Sequence, residues 1–190
     1  GEVGNDEYTE FTDSFVWESG VVTVRISVSG DYTLFINGKY AASNQYGDFE
    51  YYKVYDEIDI TKFLKRGKNT LAVIGWYWGR AGMRWNTPEP GLIYEVENDG
   101  KILRASTAAT LCRKSKAYLS GREKKITSQL GYTFLYDANA EDNGINGEGK
   151  DFGKCRELER SAKLYKRPVK KHILGEPTEG KIRKIQGGYI

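Results

Sequence analysis

At 190 residues the chain fits one domain with an appendage and is long enough to bury roughly two thirds of its unfolded surface. A hydrophobic content of 39%, 29% charged residues and a mean hydropathy of −0.62 exclude general disorder; no run approaches the roughly 20 apolar residues of a membrane helix. The net charge of +3 is uneven: residues 154–184 carry 11 Lys or Arg against 4 Asp or Glu, but they lack the spaced aromatics and Gly-rich loops of nucleic-acid modules.

The chain begins at Gly1 without a charged-then-apolar leader, which predicts a processed or recombinant piece of a larger protein and leaves the compartment, cytoplasmic or secreted, open. Residues 1–20 are expected to be a lead-in strand, 21–153 a β-sandwich, and 154–190 a return segment or linker towards a following domain. Val22-Val24-Ile26-Val28 alternates with Thr23-Arg25-Ser27-Ser29, the period of a strand with one buried face. After Gly30-Asp31 the pattern resumes at Tyr32-Thr33-Leu34-Phe35-Ile36 and reaches Asn37-Gly38, a hairpin signal because both turn positions need positive φ. Residues 51–60 form the next predicted strand, and Asp59 is placed to cap a single helical turn over Ile60–Leu64. Leu71-Ala72-Val73-Ile74-Gly75-Trp76 is nearly continuous and suits a central strand covered on both faces. A second hairpin turns at Asn98-Asp99-Gly100-Lys101, with further strands expected over 107–111 and 129–136. Residues 155–165 fit either a short helix or extended chain. Seven or eight short strands with one helical turn predict an all-β jelly-roll sandwich.

Little of this carries catalytic chemistry. The one histidine, His172, has no Ser or Cys motif around it, and the common cofactor-binding fingerprints are missing. Two carboxylates suffice for glycoside hydrolysis; the pairs near in sequence are Asp137, Glu141 and Asp142, and Asp48 with Glu50. Carboxylates at strand ends more commonly satisfy turn amides. Asp56 and Asp59, with Asp142-Asn143, carry oxygens suited to a structural calcium, but without EF-hand spacing capping and solvation are preferred and no cofactor is expected. Cys112 and Cys155 read as two buried or half-buried thiols, with a disulfide as the alternative.

The most unusual stretch runs from Gly75 to Trp85. Trp76, Trp78 and Trp85 gather with Arg80 and Arg84 where a core strand enters a loop. Indoles can stack on the C–H face of a sugar while guanidiniums grip its hydroxyls. Core packing, or contact with another domain, is the preferred reading of the same residues.

The ordered set Tyr32-Thr33-Leu34-Phe35-Ile36-Asn37-Gly38-Lys39, Tyr55-Asp56-Glu57-Ile58-Asp59-Ile60-Thr61 and Leu64-Lys65-Arg66-Gly67-Lys68-Asn69-Thr70-Leu71-Ala72-Val73 resembles the N-terminal region of bacterial α-L-rhamnosidases. Tyr136-Asp137-Ala138 is similar to a later stretch of that family, although Phe134-Leu135 stands where the family often shows Gly-Glu; Arg167-Pro168-Val169 is similar to the segment leading onward. The likeness covers roughly residues 20–138, with an echo to 170. The Asn-Gly turn alone is shared with sugar-binding domains of β-galactosidase-like enzymes. The resemblance implies a galactose-binding-like jelly roll beside an (α/α)₆ catalytic barrel that these residues do not contain, so no catalytic residue carries over. It implies as partners the barrel and the other domains of the parent chain, with carbohydrate as a further candidate. The alternative readings are an autonomous carbohydrate-binding module or the sugar-binding domain of a β-galactosidase-like hydrolase.

Overall fold

Val22, Val24 and Ile26 are fully shielded from solvent, while the intervening Arg25 reaches Glu57, Glu95 and Glu97 on neighbouring strands. Repeated along the chain, this alternation builds two sheets with a shared interior. The computed structural model describes residues 4–47, 52–80, 89–121, 124–127, 129–159, 162–172, 174–175, 178–181 and 183.

The first strands in chain order are β1 (Glu7–Trp17), β2 (Val22–Val28), β3 (Asp31–Ile36), β4 (Lys39–Ser43), β5 (Tyr52–Asp59) and β6 (Gly67–Tyr77). They are followed by β7 (Leu92–Asn98), β8 (Lys101–Ala105), β9 (Leu111–Lys114), β10 (Lys125–Thr127), β11 (Gly131–Tyr132), β12 (Gly153–Lys154) and β13 (Lys163–Lys166). One sheet runs β12-β9-β1-β6-β3-β4, the other β13-β5-β2-β7-β8, and β10 and β11 form a separate ribbon. The fold is the expected all-β jelly-roll sandwich. Its core joins Val22, Val24, Ile26, Tyr94 and Val96 from one sheet to Phe15, Leu34, Ile36, Leu71 and Val73 from the other. No helix among the described residues is long and apolar enough to cross a membrane.

β6, the near-continuous apolar run, lies between β1 and β3 as a central strand should. β1 falls in the stretch expected to lead in, and it pairs with β6 along its whole length, from Glu7 opposite Tyr77 to Trp17 opposite Gly67. Strand β13 falls in the basic segment and pairs with β5 in parallel.

Both hairpin signals are realised. Asn37 and Gly38 take φ of 51° and 75°, and Asp99 and Gly100 take 48° and 85°, as a two-residue turn between twisted strands requires. Asp59 accepts a hydrogen bond from the Thr61 amide at 2.9 Å and opens one 3₁₀ turn, Thr61–Phe63. Asn69 closes the loop that follows. Its buried amide donates to the carbonyls of Lys65 (2.7 Å) and Gly67 (2.9 Å) and accepts from the Lys65 N–H (2.9 Å) and the Asn37 side chain (2.8 Å). Asn69→Ala removes all four hydrogen bonds and leaves a space at a fully buried position, so the loss expected in urea denaturation is about 2–3 kcal/mol.

Three expectations need correction or completion. Residues 107–110 form a turn, not a strand, because the hydroxyls of Thr107 and Thr110 capture local amides and the Thr110 N–H bonds the Thr107 carbonyl at 2.9 Å. Over 129–136 only Gly131–Tyr132 is a strand, with a single bridge from Tyr136 to Tyr118; Thr127 Oγ1 accepts from the amides of Gln129 and Leu130 and turns the chain there. Of the residues described between Cys155 and Tyr165 none is helical, and 163–165 belong to β13.

Candidate functional site: the Trp76–Trp78 aromatic face

β6 delivers Trp76 at its end, and Trp78 follows just beyond, with ring centroids 5.3 Å apart. Tyr8 of β1 stacks on Trp76 at 5.8 Å with 7° between the planes, and on Tyr118 at 5.1 Å. Tyr118 also meets Phe134 at 5.9 Å and Tyr136 at 4.8 Å, while Tyr132 stands edge-on to Trp78 at 6.0 Å. Residues far apart in sequence thus build one continuous aromatic pile, a geometry aromatic quadrupoles favour.

Polar pins hold the pile. The Trp76 indole N–H donates to Asp6 Oδ1 at 2.8 Å, the Asp6 amide donates to the Trp78 carbonyl at 3.2 Å, and the Gly121 amide donates to the Asp6 carbonyl at 2.8 Å. Burial, and then the Asp6 carboxylate, push the Tyr8 phenol above its ordinary pKa. The hydrogen bond that Tyr136 donates to Glu141 at 2.6 Å pushes its phenol up to about 12. Of the residues singled out in the sequence, Trp76 and Trp78 are brought together half-buried in the pile, and Arg80 is exposed just past it. Arg84 and Trp85 lie outside the described residues. Tyr8 and Tyr118 had no local signal beyond a high tyrosine content, while Tyr132 and Tyr136 fell in the expected 129–136 strand and Tyr136 also in the family-like Tyr136-Asp137-Ala138.

The acidic residues near the pile have structural partners. Asp137 accepts from the Asn139 amide at 3.0 Å, Glu141 accepts from Tyr136, and Asp142 accepts from Arg113 at 2.5 and 2.7 Å. Arg113 also donates to Glu10 at 2.6 and 2.8 Å and lies 4.4 Å from the Phe152 ring centre. The guanidinium hydrogen bonds hold the Asp142 carboxyl well below the usual carboxylate range. Asp48 and Glu50 lie outside the described residues, and His172 is exposed.

A second ionic centre gathers around Asp56, whose pairing with Arg167 and Lys171 the sequence did not show. Asp56, 1% exposed, accepts from the Tyr32 hydroxyl of the opposite sheet, from Arg167, and from Lys171 at 2.5 Å. Lys171 Nζ also donates to the Asn44 carbonyl at 2.8 Å and lies 4.9 Å from the Tyr32 ring centre. Burial alone would raise the Asp56 pKa, but the hydrogen bonds from Arg167, Lys171 and Tyr32 overcome it and hold the carboxyl below its ordinary value. Asp56 therefore faces ammonium and guanidinium groups where a calcium ligand was considered. Among the described residues no three His, Cys, Asp or Glu side chains are grouped to hold a metal ion.

A cavity of about 530 Å³ opens between the sheets, walled by Phe11, Val28, Leu92, Cys112 and the passing residues Cys155 to Leu158.

The family described as the α-L-rhamnosidase N-terminal domain matches residues 20–161. Among solved structures, a GH78 family rhamnosidase of Bacillus sp. GL1 superposes with a TM-score of 0.80 at 23% identity, over 88% of this chain and 19% of that one. The α-L-rhamnosidase of Streptomyces avermitilis, solved with L-rhamnose, superposes with a TM-score of 0.62 at 21% identity, over 84% and 17%. The chain spans about a fifth of the length of these solved relatives, and no curated protein matches it. With its two-sheet sandwich and a family match from residue 20 to residue 161, the chain belongs to the α-L-rhamnosidase N-terminal domain family.

Proposed function

We propose that this chain is a non-catalytic β-sandwich module of an α-L-rhamnosidase-like glycoside hydrolase, supporting a catalytic domain elsewhere in the same polypeptide. The observation that carries the reading is the engagement of Asp137, Glu141 and Asp142 by turn amides, Tyr136 and Arg113. A carboxylate held ionised by a guanidinium cannot serve as the proton donor of glycoside hydrolysis, which requires an acid of raised pKa. The exposed Phe134, Leu135 and Tyr136 at the margin of the pile supply apolar surface for a neighbouring domain.

The test uses the chain by itself. Incubated with an aryl α-L-rhamnoside, it is expected to release no phenol above the buffer rate, and titration with rhamnose or galactose to millimolar concentration is expected to leave tryptophan fluorescence unchanged. Hydrolysis by the pure chain would end the proposal. A saturable fluorescence change would favour a carbohydrate-binding module instead.

A further inference from the structure

Cys112 belongs to β9, with its Cα opposite Gly153 of β12. The Cys155 amide donates to the Thr110 carbonyl at 2.9 Å, which sets Cys155 opposite Thr110, two residues along the same antiparallel ladder from the Cys112–Gly153 pair. Residues two apart on a strand share a face, so both cysteine side chains leave the same side of the ladder as diagonal neighbours, and their thiols are close enough to share a hydrogen bond. Both are half-buried free thiols, and both line the 530 Å³ cavity, through which a small solute can reach them. Burial first, and a hydrogen bond with the Cys112 thiol second, push the Cys155 thiol above its ordinary pKa.

We infer that Cys112 and Cys155 form a dithiol site that a low-molecular-weight disulfide oxidises to an intramolecular disulfide, fastening the strip beyond β12 to β9 along the cavity wall. One protein thiolate attacks the small disulfide, makes a mixed disulfide and releases one small thiolate. The second protein thiolate then displaces the other small thiolate and closes the bond. The protein pair loses two electrons and two protons, and the oxidant leaves as two thiols. Because only the thiolate attacks, the raised Cys155 thiol makes closure faster as pH rises. The bond draws β9 and the strip beyond β12 together and fixes Cys155, from which the chain passes to Arg156 and Leu158 on the cavity wall. This inference stands on the thiols and is independent of the proposed supporting role.

The chain is treated with oxidised glutathione in mildly alkaline buffer, quenched with iodoacetamide and examined by intact mass, peptide mapping and thermal melting. The expected result is a mass lower by two hydrogens, a Cys112–Cys155 linked peptide, no alkylation, and a Tm raised by about 5 °C or more that dithiothreitol reverses. Cys112→Ser and Cys155→Ser each leave one thiol, carry glutathione or alkyl adducts, and show no such rise. Two alkylatable thiols after prolonged oxidation, glutathione on each thiol, or links only between chains would overturn the inference.

Discussion

Asp56→Asn is expected to destabilise the fold by about 3–5 kcal/mol and to loosen β13 from the sheet. The carboxylate is 1% exposed and is the countercharge for two cations whose own side chains are only 14% and 20% exposed. The amide keeps the shape but removes the charge, leaving Arg167 and Lys171 positioned against each other. β13 contributes a short, solvent-exposed ladder to the edge of β5, so its hold depends on this ionic lock more than on apolar burial. Hydrogen exchange should show faster exchange at residues 164–167, whose last amide bonds the Tyr55 carbonyl at 2.9 Å. The pH dependence has a definite sign. A carboxyl held below its unfolded value contributes stability that is complete above the ordinary carboxylate range, near pH 4, and is lost as pH falls through the folded value. The wild-type chain should therefore lose stability on acidification, and Asp56→Asn should lose less of what remains. A substitution effect under 1 kcal/mol with unchanged protection of 164–167 would refute the lock.

The sandwich was legible because its determinants are local. Period-two alternation from Val22 to Val28, and the turn pairs Asn37-Gly38 and Asp99-Gly100, act through the pleat and through positive φ. The ordered family-like pattern has a physical origin as well: Gly67 takes φ of 89°, and Asn69 ties the loop around it. What the sequence could not display was long-range partnership. Trp76 and Trp78 were visible as a pair, yet Tyr8, Tyr118 and Tyr132, which touch them directly or through one another, come from three separate parts of the chain. Asp56 read as a capping or solvated carboxylate, or as a calcium ligand, because its cations, Arg167 and Lys171, lie more than a hundred residues away. β13 was hidden by composition, since Lys163-Leu164-Tyr165-Lys166 is short, charged and without clear alternation.

Arg113→Met should be of similar consequence, lowering stability by about 3–5 kcal/mol and Tm by roughly 10 °C. The Arg113 side chain is 6% exposed, and its planar fork uses all of its donors: Nε and Nη2 to Glu10, Nη1 and Nη2 to Asp142, and Nη1 to the Lys150 carbonyl at 2.5 Å. It thereby joins β1, β9 and the 142–152 loop beside the aromatic pile. Methionine fills much of the space but leaves Glu10 and Asp142 facing each other with no guanidinium between them. Arg113→Lys keeps one charge but cannot reproduce the fork, so it should recover only part of the loss. The comparison with Glu10→Gln separates packing from charge. If the ionic contact dominates, the loss in the double variant is smaller than the sum of the two single losses, because the second substitution removes a charge already left unpaired. Acid titration adds an independent readout. Asp142 is held down by Arg113, so its contribution is present above the ordinary carboxylate pKa and lost as pH falls through the folded value. Without Arg113 that depression loses its largest cause and only the Lys150 amide and Lys116 still act, so the fall in stability on acidification should become shallower. Additive losses together with an unchanged acid slope would mean that Arg113 acts through its stacking on Phe152 instead of through its charge.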